Sequence, residues 1–168
     1  MNKIRHLYNL DLSSIGSNRK LLDNDLIDVS ADTQKFPYKK YQIIGKTAEI
    51  DKIINTCGFI NLSADDVVSA LSDFTANYVA IGFGASDDCM ADALKDAIGK
   101  LPIDVEDISN ILFNIWMPRN MPSSMKNLNL LTEFIKDLPQ NIDVCWGCAH
   151  DESLDGQQVK VTLIAASK

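Results

Sequence analysis

"NYVAIGFGASDDCMADALKDAIGKLP", residues 77–102, carries two periodicities in succession. Its first eight residues are largely apolar and end in two spaced glycines, the composition of a short buried strand. Then Met90, Ala93, Leu94, Ala97, Ile98 and Leu101 fall on one stripe at helical spacing, with acids at its start and Pro102 as its stop. A strand delivered straight into an amphipathic helix is the unit from which layered α and β domains are built.

The alternation extends both ways. Upstream, "TAEIDKIINT" (47–56) puts Ile50, Ile53 and Ile54 on one helical face, and "SADDVVSALSDF" (63–74) does the same with Val67, Ala70, Leu71 and Phe74. Downstream, "NILFNIWM" (110–117) predicts a second strand. "SSMKNLNLLTEFIKDLP" (123–139) predicts a helix through Met125, Leu128, Leu131, Ile135 and Leu138, with serines to cap it and Pro139 beyond its end. "NIDVCWGCAHD" (141–151) and "QQVKVTLIAAS" (157–167) read as strands, and Asp155-Gly156 between them is a hairpin signal. The order helix, strand, helix, strand, helix, strand, strand implies an α+β fold: a two-layer sandwich with helices packed on a mixed sheet of about four strands.

The net charge is −7, which argues against a nucleic-acid or anionic-membrane surface as the main partner. Residues 1–57 carry nine Lys/Arg against seven Asp/Glu, whereas 58–168 carry seven against sixteen. That step suggests a compositional boundary, with 1–57 as a divergent segment of short strands and loops and 58–168 as a domain. Four scattered cysteines do not make a disulfide scaffold, and no run approaches the roughly 20 apolar residues of a membrane span. The expectation is a reduced, cytoplasmic protein.

Four stretches in order resemble the C-terminal domain of FtsZ, the bacterial relative of tubulin. "GFINLSADDV" is similar to the family's G-L-I-N-x-D-x-x-D-V loop. "IGFGAS" with its acidic, alanine-rich helix resembles G-x-G-x-A-S-G-E-x-R-A, one residue shorter. "ILFNI" resembles V-L-x-N-I. "WGCAHDESLDGQQVKVTLIAAS", the closest stretch, is similar to the family's final hairpin. The resemblance runs from about Gly58 to Ser167. Missing is the family's run of clustered glycines, which lets backbone N–H groups crowd around GTP phosphates. The chain has eight glycines, no two adjacent, and no P-loop. No GTP binding by this chain alone, no cofactor and no metal are therefore expected.

In the family the acidic loop enters the nucleotide pocket of the next subunit, where its carboxylates position the attacking water. The resemblance carries this role to Asn61 and Asp66, while Ser63 stands where the first aspartate belongs and Asp65 adds a carboxylate one position away. Gly58, Asn61, Ser63, Asp65 and Asp66 are thus the candidate docking residues, acting in trans. Chemistry alone gives the same stretch a plainer role: S-x-x-D is a capping box, Ser63 capping a helix and Asp66 reaching back.

Cys145-Trp146-Gly147-Cys148 has the spacing of a redox pair, but on a strand, positions three apart face opposite sides. His6 and His150 have no ligand-like spacing to the cysteines or to each other, and Trp116 and Trp146 read as core aromatics. The leading functional expectation is a non-enzymatic protein of bacterial cell division that binds an FtsZ-type GTPase, or itself, and caps or regulates filaments. The alternatives are a truncated FtsZ homologue retaining only the fold, and a small enzyme or ligand-binding protein on a recruited fold. The sequence ends at "AASK", without the linker and peptide through which FtsZ proteins reach membrane tethers, so no membrane recruitment by that route is expected.

Overall fold

The computed structural model describes residues 36–121 and 125–168. Among them runs one mixed sheet of five strands, β1 (Ile43–Ile44), β2 (Asn77–Gly84), β3 (Ile108–Met117), β4 (Asp143–His150) and β5 (Val159–Ser167), in the order β1-β2-β5-β3-β4. Four α-helices accompany it: α1 (Ala48–Asn55), α2 (Ala64–Ala70), α3 (Cys89–Gly99) and α4 (Met125–Lys136). The α+β sandwich on a mixed sheet is the observed architecture, with one addition. β1 comes from the segment ahead of Gly58, and that segment joins α2 in covering the second face.

Strand alternation sorts the core into two clusters. Ile111, Phe113, Ile115 and Met117 of β3 point toward α3 and α4, where they meet Met90, Leu94 and Leu131. Leu112 and Trp116 point the other way, against Tyr38, Ile50, Ile53 and Val67. α3 lies almost on the backbone of β2. A Cβ at Gly82 would fall 2.0 Å from the Ala93 carbonyl oxygen, and one at Gly84 would fall 2.1 Å from that of Cys89. The spaced glycines are thus the contact surface for the helix that follows them.

Three expectations need correction. Asp155-Gly156 does turn the chain, with Gly156 at φ 61° and Gln158 N donating to Asp155 O at 3.0 Å, but it closes no hairpin. β4 pairs with β3 in parallel, and β5 is inserted antiparallel between β2 and β3. β5 is buried on both faces, as its nearly unbroken apolar run demands. Phe74, read as part of a helical stripe, is 96% exposed, because α2 ends at Ala70. The buried Asn77 amide stops it: its Oδ1 accepts from Ser72 N and its Nδ2 donates to Ser72 O and Gln42 O. Met125 is exposed too, and buried Asn127 shares α4's inner face with Leu131. The serines read as its cap, and everything before Phe36, lie outside the described residues.

A polar chain fastens α1 to the sheet. Trp116 Nε1 donates to Thr162 Oγ1 at 3.0 Å, Thr162 Oγ1 donates to Glu49 Oε2 at 2.9 Å, and Lys160 pairs with the same oxygen at 2.7 Å. Burial disfavours the Glu49 carboxylate, but the bonds from Lys160 and Thr162 outweigh it and hold its pKa below the ordinary value. Beside it Lys52 pairs with Asp151 and lies over the Trp116 ring, 4.6 Å from its centre.

Asp151 is buried, which alone would raise its pKa, yet Lys52 and the Ser153 amide and hydroxyl bring it down to about 2. A carboxylate depressed on folding stabilises the native state above its unfolded pKa, and that contribution fades as pH falls through the folded one. Asp151→Asn is accordingly expected to cost about 2 kcal/mol at neutral pH. The gap to the parent should close between about pH 4 and pH 2, as chemical denaturation across that range would show. A gap independent of pH would deny the Lys52–Asp151 pair its role.

Candidate functional site

The five candidate residues sit together where the chain passes the end of the sheet and turns into α2. Gly58 approaches β4 so closely that a Cβ there would stand 2.5 Å from the Cys148 carbonyl oxygen. Two residues on, Ile60 makes a two-bond antiparallel bridge with Cys148, at 2.9 and 3.2 Å. Asn61 Oδ1 closes the loop on itself by accepting from Gly58 N at 3.2 Å. Leu62 is buried against Gly147, where a side chain would meet its Cγ at 2.6 Å. The loop is therefore held by backbone bonds on one side and by an apolar anchor below.

The capping box is present. Ser63 Oγ accepts from Asp66 N at 3.2 Å, and Asp66 Oδ2 accepts from both the amide and the hydroxyl of Ser63 at 2.7 Å. Those bonds from Ser63 lower the Asp66 pKa, so the carboxylate is ionised at neutral pH. All three bonds involve one oxygen of Asp66 or its amide. Oδ1 accepts no hydrogen bond among the described residues. The side chain that caps the helix thus keeps one charged oxygen without a hydrogen bond, at the cleft it shares with Asp143 and Cys145. Asp65, one position earlier, is exposed, and its backbone oxygen accepts from Ser69.

Two side chains of this loop escaped the sequence reading. Phe59 is 57% exposed and Ile60 40%, an apolar tip beside the acids. Phe59 leans on the exposed His150, ring centres 5.1 Å apart. Both tip residues border a cleft of about 490 Å³ with Met90, Met117, Leu128 and Trp146. On the other side of β4 a second cleft, about 280 Å³, is lined by Asp66, Ser69, Asn110, Asp143 and Cys145. The signal for the tip was a Phe-Ile pair between a glycine and an asparagine, which propensity alone assigns to no element.

The cysteine pair is not assembled as a dithiol. Cys145 faces α2 and Cys148 faces α3 and α4, on opposite sides of the sheet. Burial pushes the Cys148 thiol up to about 12, and burial with the nearby Asp66 charge raises that of Cys145, so neither is activated. Trp116 is the core aromatic expected of it, whereas Trp146 is half-buried, stacked at 6.2 Å on Phe113 and open to the larger cleft. His6 lies outside the described residues. Among those residues no helix is long and apolar enough to cross a membrane.

The fold is that of a partial FtsZ/tubulin-like domain, as comparison with known proteins shows. The chain is 25% identical to the cell division protein FtsZ of Porphyromonas gingivalis over 92% of its own length, and it spans 36% of that relative. The match therefore reaches back past Gly58 into the first segment. An FtsZ point mutant from M. jannaschii superposes with a TM-score of 0.57 at 19% identity, covering 90% of this chain and 42% of the other. An empty FtsZ dimer from the same organism gives 0.54 at 21%, over 69% of this chain and 34% of the other. A protofilament of TubZ from Bacillus thuringiensis serovar israelensis gives 0.51 at 12%, over 71% and 33%. No family model matches the chain.

Proposed function

We propose that this chain is a non-enzymatic FtsZ-like protein that docks its Gly58–Asp66 loop against the nucleotide-bearing face of an FtsZ-type GTPase and caps or regulates its filaments. The observation behind this reading is the state of Asp66, whose Oδ2 is spent on the helix cap while Oδ1 is left for a partner. The loop is rigid before any partner arrives, so little conformational entropy is lost on docking. Its apolar tip at Phe59 and Ile60 supplies contact area, and Asp65 and Asp66 supply charge. The similar proteins, the cell division protein FtsZ and a TubZ seen as a protofilament, are consistent with a place in a polymerising system. Within these 168 residues there is the loop-bearing half of a head-to-tail contact and no glycine-rich phosphate loop for the other half. A subunit that carries that loop without such a phosphate loop would add to one end of a filament and could not be extended there.

The test is GTP-dependent pelleting of an FtsZ with this protein titrated in. Substoichiometric inhibition is expected. Phe59→Asp, which leaves the capping box intact, and Asp66→Ala should each abolish it. No effect at equimolar protein sinks the reading and leaves the loop as a capped helix start.

A further inference from the structure

We propose that the outer edge of β4 is a second docking site, one that accepts an extended peptide segment in which basic and apolar side chains alternate. β4 is the last strand of the sheet, and all eight of its residues pair in unbroken register with β3. Among the described residues its other edge is met by one bridge, from Ile60 to Cys148. Backbone groups on a strand alternate in direction, so Val144 and Trp146 share Cys148's outward orientation. Among the described residues, no hydrogen bond reaches the outward N–H or C=O of either. Soluble proteins usually blunt such an edge with lysine, proline, a bulge or a cover. Residues 143–146, Asp-Val-Cys-Trp, contain neither lysine nor proline, and their register has no bulge.

What lies on either side of the edge sets the chemistry of the occupant. On the α2 side is the 280 Å³ cleft, lined among the described residues by two carboxylates, Asp66 and Asp143, and by no lysine or arginine. On the opposite side is the 490 Å³ cleft, whose walls near Trp146 are Leu128, Met90, Met117 and Phe59. A strand added to β4 sends successive side chains to opposite faces, one into each cleft. Lysine or arginine suits the first, and leucine, methionine or valine suits the second. A second copy of β4 fits poorly, because residues 143–146 carry one aspartate and no basic residue to meet a partner's acidic cleft. Asp66 and Phe59 line these clefts and also belong to the Gly58–Asp66 loop. The edge can be filled whether or not the chain caps filaments, and the variants that test it lie outside that loop.

The experiment uses the full chain, isotope-labelled, and three acetylated octapeptides. One alternates lysine and leucine, one has the same composition in two blocks, and one alternates glutamate and leucine. The lysine–leucine alternator is expected to slow hydrogen exchange at the Val144 and Trp146 amides and to bind at least about tenfold tighter than either control. Val144→Pro removes an outward donor at an edge position, where strands tolerate proline, and should abolish that protection at Trp146. Asp143→Lys leaves the edge intact and should weaken the alternator about tenfold while strengthening the glutamate peptide. The proposal is overturned if the alternator leaves both amides exchanging freely, if the blocked peptide protects them equally, or if Asp143→Lys changes neither affinity.

Discussion

Gly82→Ala is expected to unfold this protein or bring it to the brink, although it adds one methyl group. The added Cβ would lie 2.0 Å from the Ala93 carbonyl oxygen and 2.4 Å from the Ala97 amide nitrogen. Both are backbone atoms of α3, so no side chain can rotate away, and the whole helix must lift off β2. Lifting it opens the packing of Met90, Leu94 and Ala97, all nearly inaccessible to solvent, against the sheet. Overpacking of this kind costs about 3 kcal/mol, and more where the backbone itself is the obstacle. Gly99→Ala is the matched control. It lies in the last turn of the same helix with nothing within 4 Å of the added carbon, and its φ is not positive. Removing a glycine from a helix there should stabilise the protein by about 0.5–1 kcal/mol. Equilibrium denaturation of the two variants should move the midpoint in opposite directions, the first shift much the larger. Equal, small shifts would mean that α3 does not ride on the glycines of β2.

The parts of this fold legible in the sequence are those whose determinants are local. The β2–α3 unit, β3 and α3's buried stripe follow from period, cap and stop signals within a few residues of each other. The Ser63–Asp66 box is legible for the same reason, since both partners lie in one helical turn. What was missed is decided at a distance. α2 stops where it does because Asn77, beyond the helix, takes the Ser72 peptide groups. β5 goes to the middle of the sheet because both of its faces are apolar, a pattern that outweighs the turn signal just ahead of it. The loop tip is fixed by Cys148, a residue far along the chain, so no local pattern could orient Phe59 and Ile60. The acid was readable; the surface around it was not.

A chain that begins at Gly58 is expected to lose cooperative folding, even though the charge step and the FtsZ-like motifs both invite a cut there. Tyr38, Tyr41, Ile50 and Ile53 all come from the removed segment, and all are buried on the second face of the sheet. Burying four such side chains is worth about 6–12 kcal/mol, which matches the whole net stability of a typical domain. The losses do not end with apolar area. Glu49 and Lys52 leave with α1, so the Thr162 hydroxyl loses its acceptor and the Asp151 carboxylate loses its cation, both at sites nearly inaccessible to solvent. β1 leaves as well, opening the outer edge of β2. The 58–168 piece should therefore bind a hydrophobic dye, show weak near-ultraviolet signals from Trp116 and Trp146, and unfold without a sharp transition, while the full chain does none of these. A sharp transition in the piece, with native tryptophan signals, would mean that α2 and the sheet close that face by themselves. The expected result assigns the change in charge near Cys57 to the surface, since the core passes through it from Tyr38 to Trp116. It also bears on docking: the Gly58–Asp66 loop is held against β4 and above Leu62, whose neighbours in the core include the side chains removed. A loop that docks only when held in shape would then fail in the shortened chain with every one of its own residues intact.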